Sequence, residues 1–178
     1  MARPYQPSLL RLLHGVTALL VAATWFSGLL VYSRYDGRWG RLNGQFPGEW
    51  IDLHGTAGVI LLPLALLLGL YAFTLGRRQL SRISNVLPLA ALALAIGSGK
   101  LMQEDWLRNG DLHHSVYSLH LCAWLLISLS LLGHLAGSLR RGGPALLGSM
   151  LSLHLQARDR PQHWPGQLGR WWGKRRER

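Results

Sequence analysis

The sequence predicts an all-α membrane protein, a four-transmembrane-helix bundle, and three observations lead there. Apolar residues make up 49% of the 178 residues and fall in four long runs, without the alternation of polar residues that a water-facing surface needs. Each run is long enough, or nearly so, to cross a hydrocarbon core, which takes about 20 helical residues. The basic residues behind the net charge of +11 flank those runs. Several of the eight histidines, by contrast, stand inside them. An ionisable side chain in a membrane span is costly and as a rule faces an interior where it has a task.

The chain opens with a polar arm, Met1 to Gln6, carrying Arg3, and Pro7 and Ser8 lead into the first span, with Ser8 placed to be its N-cap. That span covers about 9–32. Its apolar part is too long for a signal peptide and no small-residue cleavage site follows, so it is expected to stay in the mature protein. His14 lies one turn inside Arg11, and Gly28, fourteen residues on, shares its face near the opposite surface. A glycine there admits either a flat ligand or a close-packed neighbouring helix. The loop 33–49 is rich in glycine, with Tyr35 and Trp39 suited to a membrane interface.

The second span, about 50–75, has His54 near its start, Gly69 near its far end and Pro63 in the middle, where a kink is expected unless neighbours satisfy the freed carbonyl. A short basic connection follows. The third span, about 86–102, is the shortest and has no histidine. Its expected role is structural, closing the bundle and covering cofactor edges. The loop after it holds Glu104, Asp105, Arg108 and Asp111 and leads to adjacent His113 and His114. This histidine pair is either a metal or proton-handling site or, since helical neighbours diverge by about 100°, simply a solvated helix start.

The fourth span, about 112–139, carries His120 and His134, fourteen residues apart. At 100° per residue they fall about 40° short of four full turns, so both point to one side, roughly 21 Å apart along the axis. A lone histidine in an apolar helix is as readily a hydrogen-bonded structural residue. The single cysteine, Cys122, excludes an intramolecular disulfide and reads as a small buried apolar residue. Arg140, Arg141, Gly142, Gly143 and Pro144 form a stop signal. The chain thus divides into a bundle domain, 1–143, and a basic tail, 144–178. Residues 145–157 are moderately apolar and suited to lie along a surface. Trp164, Trp171, Trp172 and the run Lys174 to Arg176 look like an anchor on anionic lipid. Basic residues placed at span ends report topology, and nucleic acid is not an expected partner.

Counting lysine and arginine sets the orientation. The N-terminal arm, the second loop and everything from Arg140 onward hold 14 of the 19 basic residues, so both termini are expected in the cytoplasm. His14 and His134 then lie near the inner face, and His54 and His120 near the outer face. Each pair offers two imidazoles at one depth on different helices, which is what bis-histidine haem ligation requires. Zinc fits less well, because two imidazoles per level fall short of its usual four ligands. His154 and His163 lie outside the spans, without partners at matching depth.

With these residues in place, the chain resembles the bacterial cytochrome b561 family over about residues 8–150. The resemblance rests on Arg11-x2-His14, on His54 with Gly58, and on His120-x13-His134. It implies two haem b groups, the inner held by His14 and His134 and the outer by His54 and His120, in a multi-pass protein of the bacterial inner membrane. The same ligand layout occurs in the b-type cytochrome subunits of nickel-iron hydrogenases and formate dehydrogenases, which the stretch 142–150 also resembles.

The function expected from this is electron transfer by a free-standing dihaem cytochrome, with the quinone pool as partner and Lys100, Gln103 and Glu104 as the polar groups to test for quinone contact. Those three read more readily as a solvated helix end. Some family members oxidise superoxide and pass the electron to quinone, but the nearly neutral outer loops here do not favour steering an anion. The alternative is a haem-bearing membrane anchor and electron relay for a separate hydrogenase or dehydrogenase. A third reading is non-redox, a transporter or structural protein with buried histidines.

Overall fold

The computed structural model describes residues 5–35, 39–40, 46–102, 111–167 and 169, with the side chains of 111–113 excluded. Four helices form the bundle: α1 (Ser8–Tyr35), α2 (Trp50–Phe73), α3 (Ile83–Met102) and α4 (Asp111–Leu151). All four are long and apolar enough to cross a membrane. α2 and α3 run through Pro63 and Pro88 as single helices. Between them, the chain makes a short 3-10 turn, Arg77–Ser81.

The distribution of side chains is inverted relative to a water-soluble bundle. Leu19 is 71% exposed and Leu66 65%, while Thr17 is 3% exposed and Ser98 2%. In lipid, an outward leucine costs nothing, and small polar residues let helices approach and hydrogen-bond to one another. The apolar centre is correspondingly thin, built from Leu61, Ala91, Leu92, Leu121, Ala123 and Ile127. Cys122 is exposed on the outside of α4, not buried as its residue type suggests. Its neighbours Leu121 and Ala123 take the inward positions, and the helical period turns Cys122 to the outside.

Packing divides the bundle into two hairpins, α1 with α2 and α3 with α4, joined along a much thinner seam. The stop signal after the fourth span acts as a break within a longer helical stretch. Gly143 takes φ +59° and ψ −161°, and helix resumes at Pro144 and continues to Leu151. Glycine tolerates the positive φ and proline suits a first helical turn. The resumed turns carry Leu146 and Met150 back beneath the bundle.

Beyond Leu151, the tail docks against the start of α1. The Arg11 backbone N–H donates to the Pro7 carbonyl at 3.0 Å, so Pro7, not Ser8, stands at the N-cap position. Proline has no side-chain acceptor to offer. Asp159 replaces it, receiving the Ser8 backbone N–H at 2.5 Å and the Tyr5 hydroxyl at 2.5 Å. Ser8 Oγ donates to the Asp159 carbonyl at 2.6 Å, and Trp164 Nε1 donates to Ser8 Oγ at 2.9 Å. Arg11 donates to the carbonyls of Ser152 and His154 and lies 5.2 Å over the Tyr5 ring. Of the tail residues read as a lipid anchor, Trp164 is engaged here, whereas Trp171, Trp172 and Lys174 to Arg176 lie outside the described residues.

Candidate functional site

The seam between the hairpins holds two cavities, one above the other. The proximal cavity, at the end of the bundle where Asp159 meets Ser8, has a volume of about 620 Å³. The distal one has about 770 Å³. Both lie within the roughly 300–1,000 Å³ of typical cofactor sites. Val21, Trp25, Leu92 and Ile127 line both and form the partition between them.

Each cavity contains one of the histidine pairs. His14 of α1 and His134 of α4 face each other across the proximal cavity with ring centres 6.1 Å apart and planes 31° apart. His54 of α2 and His120 of α4 do so across the distal cavity at 6.1 Å and 83°. Two metal–imidazole bonds of about 2.0 Å, with about 1.1 Å from nitrogen to ring centre on each side, span about 6.2 Å. The two separations therefore match a single metal ion between each pair of rings. Among the described residues, no cluster of three or more histidine, cysteine or acidic side chains is assembled for a metal ion. Two nitrogens per level suit a metal whose other positions are filled by a macrocycle.

The walls fit such a flat, apolar group. Gly55 and Gly58 line the distal cavity beside His54, and a Cβ built on Gly58 would project into open space. Thr17, 3% exposed in the proximal wall, has a hydroxyl without a hydrogen-bond partner among the described residues. The proximal mouth is polar and basic, with Gln6, Gln79, Arg82, Asn85 and Arg141. Lys100, His114 and Tyr117 line the distal cavity.

Glycine at position 28 makes room for a histidine of the next helix. Its Cβ would stand 3.0 Å from His54 Cε1, so the open space on α1 is taken by the His54 ring. Gly99 does the same for His120, at 3.2 Å. Gly69 meets nothing within 4 Å.

Serines complete the arrangement. His54 Nδ1 lies 3.1 Å from Ser27 Oγ, and His120 Nδ1 lies 2.9 Å from Ser98 Oγ. His134 Nδ1 donates to the Ser84 carbonyl at 2.9 Å. Sequence reasoning missed all three serines. A hydroxyl in an apolar span has no periodic mark of its own, and the only available signal was the neighbouring glycine in Ser27-Gly28 and Ser98-Gly99. It also missed the tryptophan pair at the partition. Trp25 and Trp124 stack with centres 5.0 Å apart and planes 20° apart. Trp25 Nε1 donates to Ser128 Oγ at 2.8 Å, and Trp124 Nε1 donates to the Trp25 carbonyl at 3.4 Å.

Of the other residues expected to act, Lys100 reaches the distal cavity, whereas Gln103, Glu104 and the side chain of His113 lie outside the described residues. His154 contributes a backbone carbonyl to the tail, away from either cavity.

No curated protein and no solved structure matches this chain. The family model for prokaryotic cytochrome b561 matches residues 5–85, a stretch that contains α1 and α2 with His14 and His54. Over that stretch the chain is similar to the prokaryotic cytochrome b561 family, which supports a membrane b-type cytochrome that carries electrons.

Proposed function

We propose that this protein is a dihaem cytochrome that exchanges electrons with the quinone pool of a bacterial inner membrane. His14 and His134 hold one haem b, and His54 and His120 hold the other. The observation that carries the reading is the pair of 6.1 Å ring separations, each inside its own cavity between the two hairpins. Haem held by these histidine pairs would supply one-electron redox chemistry. The chain's own groups would hold the rings, and Arg82 and Arg141 at the proximal cavity and Lys100 at the distal one are the cations available to a haem's carboxylates. The charge bias of the sequence supports a cytoplasmic location for the proximal end and both termini.

A visible spectrum and haem-to-protein ratio of the purified protein test the core of this reading. Two haem b groups per chain, both six-coordinate and low-spin, are expected. One group or none after expression with ample haem would remove it. Adding quinol to the oxidised protein in liposomes tests the partner, and reduction no faster than in a quinol-free control excludes quinone. Stopped-flow reduction by superoxide, against a superoxide-scavenged control, tests that donor in the same way. A catalytic subunit co-purifying in stoichiometric amount from native membrane would replace the free-standing cytochrome with a haem-bearing anchor.

A further inference from the structure

Three of the four imidazoles are hydrogen-bonded at Nδ1, and their partners are disposed to accept. His134 Nδ1 meets the Ser84 carbonyl, which has no proton to give. Ser98 Oγ, beside His120 Nδ1, already directs its hydrogen at the Leu94 carbonyl at 2.7 Å, with the Ala95 carbonyl at 3.1 Å. A hydroxyl has one hydrogen and two lone pairs, so the Ser98 oxygen receives from His120. Ser27 repeats the arrangement, facing the Thr24 carbonyl at 3.2 Å and His54 Nδ1 at 3.1 Å. The two serines are 2% and 4% exposed, so solvent does not compete for these bonds.

We infer that Ser27, Ser98 and the Ser84 carbonyl are positioning groups that lock His54, His120 and His134 in the tautomer protonated at Nδ1, with Nε2 left bare for the iron. The inference rests on the haem reading above. A ring N–H donated to a fixed oxygen sets the rotation of the imidazole and makes its other nitrogen a stronger donor to the metal. Both positioning groups for the α4 histidines come from α3, the span with no histidine, and the one for His54 comes from α1. Each of these three rings is therefore held by the other helix of its own hairpin. His14 has no ring hydrogen bond among the described residues. The distal level thus has two serine-held rings, and the proximal level has one carbonyl-held ring.

The test uses the haem-loaded full-length protein and the variants Ser27→Ala, Ser98→Ala and Ser98→Thr, read by redox titration and by the low-spin spectrum of each haem component. Losing the acceptor makes the imidazole a weaker donor to ferric iron. Both alanine variants are therefore expected to raise the midpoint potential of one and the same component and leave the other in place, with Ser98→Thr restoring the wild-type value. Loss of that component in Ser98→Ala, restored in Ser98→Thr, supports the same conclusion. Unchanged potentials and spectra in both alanine variants overturn it, as does a Ser98→Ala defect that threonine fails to rescue. A wild-type protein that takes up no haem refutes the parent reading itself, and that result is visible before any variant is made.

Discussion

The carboxylate of Asp159 stands 2.5 Å from the backbone N–H of Ser8 and so caps a helix that begins 151 residues earlier in the chain. The first N–H groups of a helix have no partner within it, and a carboxylate there also meets the positive end of the helix dipole. The cap ties the tail to the helix that carries His14, with Arg11 and Tyr5 as further attachment points. Replacing Asp159 with alanine is expected to destabilise the start of α1 by about 1–2 kcal/mol. Hydrogen exchange of the amides from Ser8 to Arg11 measures this, and unchanged protection would remove the cap from the account.

The same contact predicts a pH dependence. Burial works to raise the Asp159 carboxyl, but the hydrogen bonds from Tyr5, Ser8 and Gln167 outweigh it and hold the group below its ordinary 3.8. A depressed carboxyl contributes stability that is fully present above its unfolded value and is lost as pH falls through the lower folded value. Tyr5 moves oppositely. Burial and the bond to Asp159 raise its phenol above 10.0, so its contribution is present below that value and fades as pH rises past it. Tail docking should therefore hold between about pH 5 and 9 and loosen on either side. Tail protection against protease, measured across pH, checks both limbs, and Asp159→Asn should abolish the acid limb.

Pairing of the histidines predicts a pattern among four single mutants. His14→Ala and His134→Ala should each deplete one haem, while His54→Ala and His120→Ala should each deplete the other. The haem that remains should keep a six-coordinate low-spin spectrum, and protein yield should fall with the emptied cavity. Haem-to-protein ratio and the reduced spectrum provide the measurement. If His14→Ala removed the same component as His54→Ala, the two-level assignment would be wrong.

Gly28 and Gly99 should be sensitive in proportion to the space they leave. A Cβ at 28 would press His54 Cε1 at 3.0 Å, and one at 99 would press His120 Cε1 at 3.2 Å. Crowding at such contacts costs about 1–3 kcal/mol. Gly28→Ala and Gly99→Ala should both lower retention of the distal haem on heating, the first more strongly, and spare the proximal one. Thermal loss of each spectral component would show this. Equal loss of both components would point to general unfolding.

Because the hairpins meet along a thin seam occupied by the cavities, a bound cofactor should hold them together. A ligand present at about 1,000 times its dissociation constant adds about 4 kcal/mol to the folded state. Protein produced under haem limitation should unfold at lower temperature in detergent and expose the connection between α2 and α3 to protease. Identical melting of haem-poor and haem-loaded protein would contradict that picture.

Some of this was legible before any coordinates, for stated reasons. Four runs of about 20 apolar residues announce four spans, because the bilayer sets a length that composition must meet. The facing of His120 and His134 follows from helical periodicity, and the level of each of the four histidines along the bundle follows from counting residues inward from the span ends. Residue patterns were less reliable where a position has two faces to choose from. Cys122 reads as buried by type, yet the bundle turns it outward. Ser8 reads as an N-cap by type, yet the helix starts one residue early and Asp159 takes that role.

The sequence by itself thus determined the number of spans, the histidines they contain and the position of each along its span, since hydropathy and helical rise are local properties of the chain. Only the tertiary structure decided which serines hold the rings, that α3 serves both histidines of α4, that Trp25 stacks on Trp124, and that the tail returns to cap α1. These are contacts between residues distant in the chain. In an apolar span, a serine, glycine or tryptophan has the same local signature whether it meets lipid or a neighbouring helix, so only the packing of the helices tells the two apart.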